Sequence, residues 1–169
     1  MAKNTTLSFE FYPPQTKEGV EKLKQTAKDL NQFNPEFFSV TFGAGGSTKE
    51  KTLDTVLDLN KLGFNASPHI SCISSSKAEI KDLLDKYKSN KINHLVALRG
   101  DNPSGSINFG ELNYANELVS FIKSEMGDTF KIDVGAYPEV HPESESAKQD
   151  FINFKNKVDA GADSAITQF

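Results

Sequence analysis

The feature that most constrains this sequence is a rhythm. Short apolar, β-prone runs alternate with longer amphipathic ones, and the short runs begin about 30 residues apart, the length of one strand–helix unit. Leu7–Phe11, Phe37–Phe42, Asn65–Ile70, His94–Leu98, Asp133–Tyr137 and Ser164–Phe169 read as strands. Between them Glu18–Gln32, Thr48–Leu62, Lys77–Ser89, Leu112–Glu125 and Ser146–Ala160 read as helices. In the last helix Phe151, Phe154 and Val158 recur at i, i+3 and i+7, the spacing of a buried stripe. Gly63 and Gly161 stand where helices end and the chain turns left-handed. Strict alternation of this kind predicts a parallel sheet covered by helices.

Two architectures answer that description. A doubly wound sheet usually carries a glycine-rich phosphate turn after its first strand, whereas here Pro13-Pro14 follows at once. A (β/α)₈ barrel takes about 250 residues, and these 169 residues hold five full units and a sixth strand. The expectation is therefore an α/β fold, a parallel (β/α)₈ TIM-type barrel truncated after the sixth strand, with 1–169 as one partial barrel domain. A hydrophobic fraction of 37% with 10% aromatics suffices for a packed core.

Charge and cysteine content exclude several function classes. With 23 acidic and 19 basic side chains the formal net charge is −4, which gives no electrostatic reason to bind nucleic acid or an anionic membrane. The single cysteine, Cys72, rules out an internal disulfide and a cysteine-rich zinc cluster. The opening MAKNTTLSFEF has no apolar stretch behind a positive end, and no apolar run approaches the roughly 20 residues needed to span a bilayer. A cytoplasmic location is expected.

Period-two alternation sorts the strand residues by face. Leu7, Phe9 and Phe11 share one face of the first strand, and Ser8 and Glu10 the other. Phe38, Val40 and Phe42 oppose Ser39 and Thr41, while Ser67 and His69 fall together on the third strand. The polar set Glu10, Thr41, His69, Arg99, Asp101, Tyr137 and Gln168 gathers at the ends of all six strands, the active face of a barrel. Glu10 lies between two phenylalanines. Low polarity there would favour its protonated form and suit it to give up a proton near neutral pH; the alternative is a strand-end carboxylate in an ion pair.

Other residues say less on their own. His69 has no histidine or acid at metal-ligand spacing, so it reads as a structural or ligand-contacting imidazole. His94 reads as a hydrogen-bonding group at the entrance of strand four, and His141 lies in the loop after strand five. Cys72 reads as a small buried side chain. The loop Gly100–Gly110 is rich in turn formers and could cradle phosphates through backbone N–H groups, or be only a loop. Asp150, Asn153 and Lys157 share one face of the fifth helix, a solvated face unless something else engages it.

Six segments in order, SFEFYPP (Ser8–Pro14), ASPHISC (Ala66–Cys72), ALRGD (Ala97–Asp101), AYPEVHPE (Ala136–Glu143), KVDAGAD (Lys157–Asp163) and ITQF (Ile166–Phe169), resemble the flavin-dependent methylenetetrahydrofolate reductases. The resemblance implies a (β/α)₈ barrel with FAD at its strand ends. It implies hydride transfer from NADH or NADPH through the flavin to 5,10-methylenetetrahydrofolate, giving the 5-methyl form for methionine synthesis. By matching motif, Glu10 resembles the acid that helps open the folate ring, and Asp101 a charged residue beside flavin and folate. Thr41, Phe42, Ala44, His69, Arg99, Gly100, Asp101, Ala115, Tyr137, His141, Ser144, Asp150, Asn153 and Lys157 match FAD-contacting positions. Asp101 and Gln168 match substrate contacts. A homo-oligomer is expected, with small molecules as the only other partners.

The sequence departs from the family pattern at Phe42, where tyrosine is common, at Ser144, where alanine is common, and at Asn156, where a basic residue often meets the cofactor phosphates. A Schiff-base aldolase on the same barrel would need a strand-end lysine, which none of the six strands supplies. A magnesium-dependent barrel enzyme would gather more acids than Glu10 and Asp101. The rival of a different class is a truncated, catalytically inactive fragment that only binds flavin, or a subunit needing a complementary piece. Such a chain, expressed alone, is expected to self-associate or be marginally stable.

Overall fold

A computed structural model describes residues 6–42, 46–101 and 110–167. Ala44, Gln168 and most of the Gly100–Gly110 loop lie outside the described residues. The chain divides into two compact units, Met1–His69 and Ile70–Phe169, the division falling inside the third strand.

In the first unit Ser8–Phe11 forms β1. Neither Pro13 nor Pro14 offers a backbone N–H, so the strand stops there. The Thr16 hydroxyl then accepts the Gly19 N–H at 3.1 Å and caps α1 (Lys17–Leu30). A 3₁₀ turn at Asn31–Phe33 leads to β2 (Phe37–Val40), α2 (Gly46–Lys61) and β3 (Ala66–Ser71). Pairing is parallel, and the register sets Glu10 of β1 beside Ser39 of β2, and Ser39 beside Ser67 of β3. Phe38, 1% exposed, anchors the core, with ring centroids of Phe9, Phe11 and Phe64 at 6.0, 5.5 and 5.5 Å. Such ring contacts each add about 0.5–1.5 kcal/mol beyond the area they bury.

The second unit runs from the end of β3 through α3 (Lys77–Ser89), β4 (His94–Leu98), α4 (Ala115–Met126), β5 (Lys131–Ala136), α5 (Ala147–Asp159) and β6 (Ser164–Thr167). β4 pairs parallel with β5, and β5 with β6. Leu84, Leu95, Leu118, Ile122, Ile132 and Val134 form its fully buried core. Reciprocal hydrogen bonds between Ser76 and Glu79 start α3. The fold is thus α/β, with parallel strands alternating with helices, and every expected strand and helix is present. No helix among the described residues is long and apolar enough to cross a membrane.

Two expectations change. α4 begins at Ala115 rather than Leu112, because the Glu117 carboxylate accepts the Asn113 and Tyr114 N–H groups at 2.7 and 3.3 Å and holds that segment out of the helix. The apolar stripe on α5 is not buried: Phe151 is 68% and Val158 48% exposed. The helix is fixed by another face, since Lys157 Nζ donates to the Gly135 carbonyl at the end of β5, 2.5 Å away.

Near the amino ends of β4–β6 sits a polar knot around the buried Asp133. His94 Nε2 lies 2.8 Å from Asp133 Oδ2, and the Ser164 hydroxyl donates to the other carboxylate oxygen. Burial pushes the Asp133 carboxyl up, but hydrogen bonds from His94 and Ser164 outweigh it and hold the group below its ordinary value of 3.8. A depressed carboxyl stabilises the fold fully above that ordinary value, and the contribution fades as pH falls through the lowered native one. Asp133→Asn should therefore cost about 1–2 kcal/mol at pH 7, and the difference from wild type should shrink below pH 4. Urea unfolding at pH 7 and pH 3 checks both; an equal loss at the two values would contradict the linkage.

Candidate active site

In the first unit Phe9 and Phe11 stack on Phe38, which leaves Glu10 on the opposite face with Ser39 and Ser67. The apolar surroundings expected for Glu10 are absent, because its side chain is 47% exposed. The ion-pair alternative describes it better. Glu10 Oε2 lies 3.4 Å from Nε2 of His69, whose side chain is only 7% exposed. Ser39 and Ser67 are buried, and the Ser67 hydroxyl has no hydrogen-bond partner among the described residues. Thr41 and Phe42, both half-buried, follow the end of β2. The Thr41 N–H donates to the Phe11 carbonyl and its own carbonyl accepts the Thr52 hydroxyl, each at 2.9 Å.

In the second unit the chain leaves β4 and turns at Gly100, with φ +87°. The turn is pinned: the Arg99 carbonyl accepts the Ser71 hydroxyl at 2.6 Å and the Ile73 N–H at 3.0 Å. A Cβ on Gly100 would sit 2.0 Å from Ser71 Oγ and 2.9 Å from Ile73 Cγ2, so only glycine fits. Arg99 reaches the loop after β5, where its Nη2 lies 2.6 Å from Glu143 Oε2. That charge-assisted hydrogen bond holds the Glu143 carboxyl below its ordinary range.

The Glu143 N–H donates to His141 Nδ1 at 3.1 Å, and His141 meets Tyr137 edge-on with ring centroids 4.4 Å apart. Burial, with the nearby Asp101 charge, raises the Tyr137 phenol above its usual value. Arg99, Asp101, Tyr137 and His141 are therefore brought together. Burial lowers the Lys157 ammonium below its usual range, opposed by the charge of Asp150. Asp150 is half-buried, while Asn153 is exposed and accepts the Gln149 amide at 3.0 Å. Ser144 closes the loop, its N–H donating to the His141 carbonyl at 2.9 Å. Ala115 is the first residue of α4 and is half-buried. Cys72 is fully buried and its thiol is pushed up to about 11 by that burial. No cluster of three or more potential metal ligands occurs among the described residues.

A family model described as methylenetetrahydrofolate reductase matches residues 1–169. The chain belongs to the methylenetetrahydrofolate reductase family. The 5,10-methylenetetrahydrofolate reductase of Escherichia coli (strain K12) is 44% identical over 164 residues, covering 96% of this chain and 54% of that protein. That of Buchnera aphidicola subsp. Acyrthosiphon pisum is 43% identical, covering 98% and 56%. Methylenetetrahydrofolate reductase (NADH) 1 of Arabidopsis thaliana is 39% identical, covering 97% and 30%. The chain spans about half the length of the bacterial reductases it matches.

Two residues of this reductase-family chain escape sequence reasoning. Ser71 shares a face of β3 with His69, two residues away, and alternation alone could have flagged it. Glu143 stands inside the AYPEVHPE segment, but its pairing with Arg99 spans 44 positions and has no local signal.

Proposed function

We propose that the protein reduces 5,10-methylenetetrahydrofolate to 5-methyltetrahydrofolate with hydride from NADH or NADPH passed through FAD. It does so on a (β/α)₈ barrel of which residues 1–169 form one partial domain, in cytoplasmic one-carbon metabolism supplying methionine, as a homo-oligomer. The observation that carries the reading is the glycine-cradled turn at Arg99–Asp101 facing Tyr137, His141 and Glu143. It adds a fitting set of groups to the family match.

Those groups suit an anionic dinucleotide with an aromatic ring system. Arg99, held by Glu143 through one nitrogen, and the Lys157 ammonium place positive charge beside the phosphates, and Gly100 allows backbone to approach closely. The edge-on Tyr137–His141 pair offers apolar ring surface. When bound, FAD supplies a carrier that takes up a hydride and releases it. Thr41, Phe42, Ala44, His69, Ala115, Ser144, Asp150 and Asn153 complete its contacts in this reading. Asp101 places negative charge where a cationic folate is favoured. Glu10 gives the proton that lets the folate's five-membered ring open, and Gln168 touches folate and nicotinamide.

A titration of the protein with FAD, followed by quenching of flavin fluorescence, tests the reading. Wild type should bind, and Arg99→Gln should weaken binding about tenfold or more with a shallower dependence on salt. Oxidation of reduced nicotinamide, driven by methylenetetrahydrofolate, then separates an enzyme from a flavin binder. Equal affinity in wild type and variant would remove Arg99 from the site.

A further inference from the structure

A carboxylate serves repeatedly as a proton donor only if a neighbour returns the proton it gives up. An imidazole holds one near neutrality. The structure sets these two kinds of group together: Glu10, about half exposed, against a buried His69 at 3.4 Å. The side chains aligned with Glu10 from β2 and β3 are Ser39 and Ser67, which are neutral, as is Thr41 beyond β2. We propose that Glu10 and His69 act as one proton-holding pair, with His69 the positioning residue that keeps a proton available to the Glu10 carboxyl at neutral pH.

The substrate in this step rests on the reductase reading above; the sharing of a proton between the two side chains does not. The folate ring nitrogen takes the proton from the Glu10 carboxyl as its carbon–nitrogen bond breaks, and the bonding pair stays on nitrogen. The proton on His69 Nε2 passes to the Glu10 carboxylate and leaves a neutral imidazole. Solvent restores the proton through the exposed side of Glu10. His69 is thereby given a task beyond contact with a cofactor.

Two measurements on the full-length protein test the pair. The first is nitrogen-detected NMR of the His69 ring, titrated without ligand in wild type and in Glu10→Gln. The midpoint should move to lower pH in the variant, because a neutral amide no longer favours the imidazolium. An unmoved or raised midpoint would overturn the pairing.

The second separates the half-reactions at saturating flavin in His69→Asn and His69→Gln. Oxidation of the reduced protein by methylenetetrahydrofolate should slow about 10- to 100-fold above pH 7, with the alkaline limb of its pH profile displaced downward. Reduction by nicotinamide should fall less than oxidation by methylenetetrahydrofolate does, and the alkaline limb of its own pH profile should stay in place. An unshifted limb, or equal losses in both half-reactions, would overturn the role. A protein whose His69 responds to Glu10 but which oxidises no reduced nicotinamide would refute the reductase reading and uphold the pair.

Discussion

Glu10→Gln is expected to slow the folate half-reaction about 10²- to 10⁴-fold, the usual contribution of a positioned proton donor, and to leave flavin reduction by nicotinamide unchanged. The substitution keeps the size and hydrogen-bonding reach of the side chain and removes only its ability to give up a proton. Its structural cost is small because Glu10 is about half exposed and packs on no core ring; the phenylalanines beside it in sequence face the other way. Anaerobic stopped-flow traces of the two half-reactions, in the full-length protein, separate the effects. Parallel losses would mean that Glu10 supports the site rather than donates a proton.

Gly100→Ala is expected to be the most damaging single change in the second unit. Its φ of +87° alone costs an alanine about 1–2 kcal/mol. The new Cβ would also fall 2.0 Å from Ser71 Oγ and 2.9 Å from Ile73 Cγ2. Relief requires Ser71 to swing away, which breaks its hydrogen bond to the Arg99 carbonyl. We expect a loss of about 3 kcal/mol in urea unfolding and at least a tenfold loss of flavin affinity, since Arg99 and Asp101 are aimed by this turn. Adding Ser71→Gly should recover part of the stability but not the affinity. A Gly100→Ala protein with wild-type unfolding and binding would show that the turn relaxes freely.

The alternation of strand and helix was legible because each period reports burial locally, and α3 and β4 have the expected ends. What periodicity cannot report is direction. Phe151 and Val158 do share a helical face, yet α5 is held through Lys157 and the carbonyl of Gly135, about a quarter-turn away. The same limit applies to Glu10. Its neighbours Phe9 and Phe11 suggest an apolar setting, but in a strand adjacent side chains occupy opposite faces and say nothing about each other's surroundings. The grouping of Arg99, Asp101 and Tyr137 was legible because all follow strand ends, whereas alternation placed His141 only in the loop after the fifth strand. The partners that fix them, Ser71 and Glu143, were not legible, since those bonds join distant stretches of chain.

Cys72 gives the chain a practical chemical property. Its thiolate is the form that alkylating reagents attack, and a fully buried thiol pushed up to about 11 offers almost none of it at neutral pH. As the only cysteine, it leaves the native surface silent to maleimides and iodoacetamides. A cysteine introduced at Val140, 44% exposed in the loop that carries His141 and Glu143, would therefore be the sole labelling point. A fluorophore there would report directly on that loop as ligands arrive, without first removing the natural thiol.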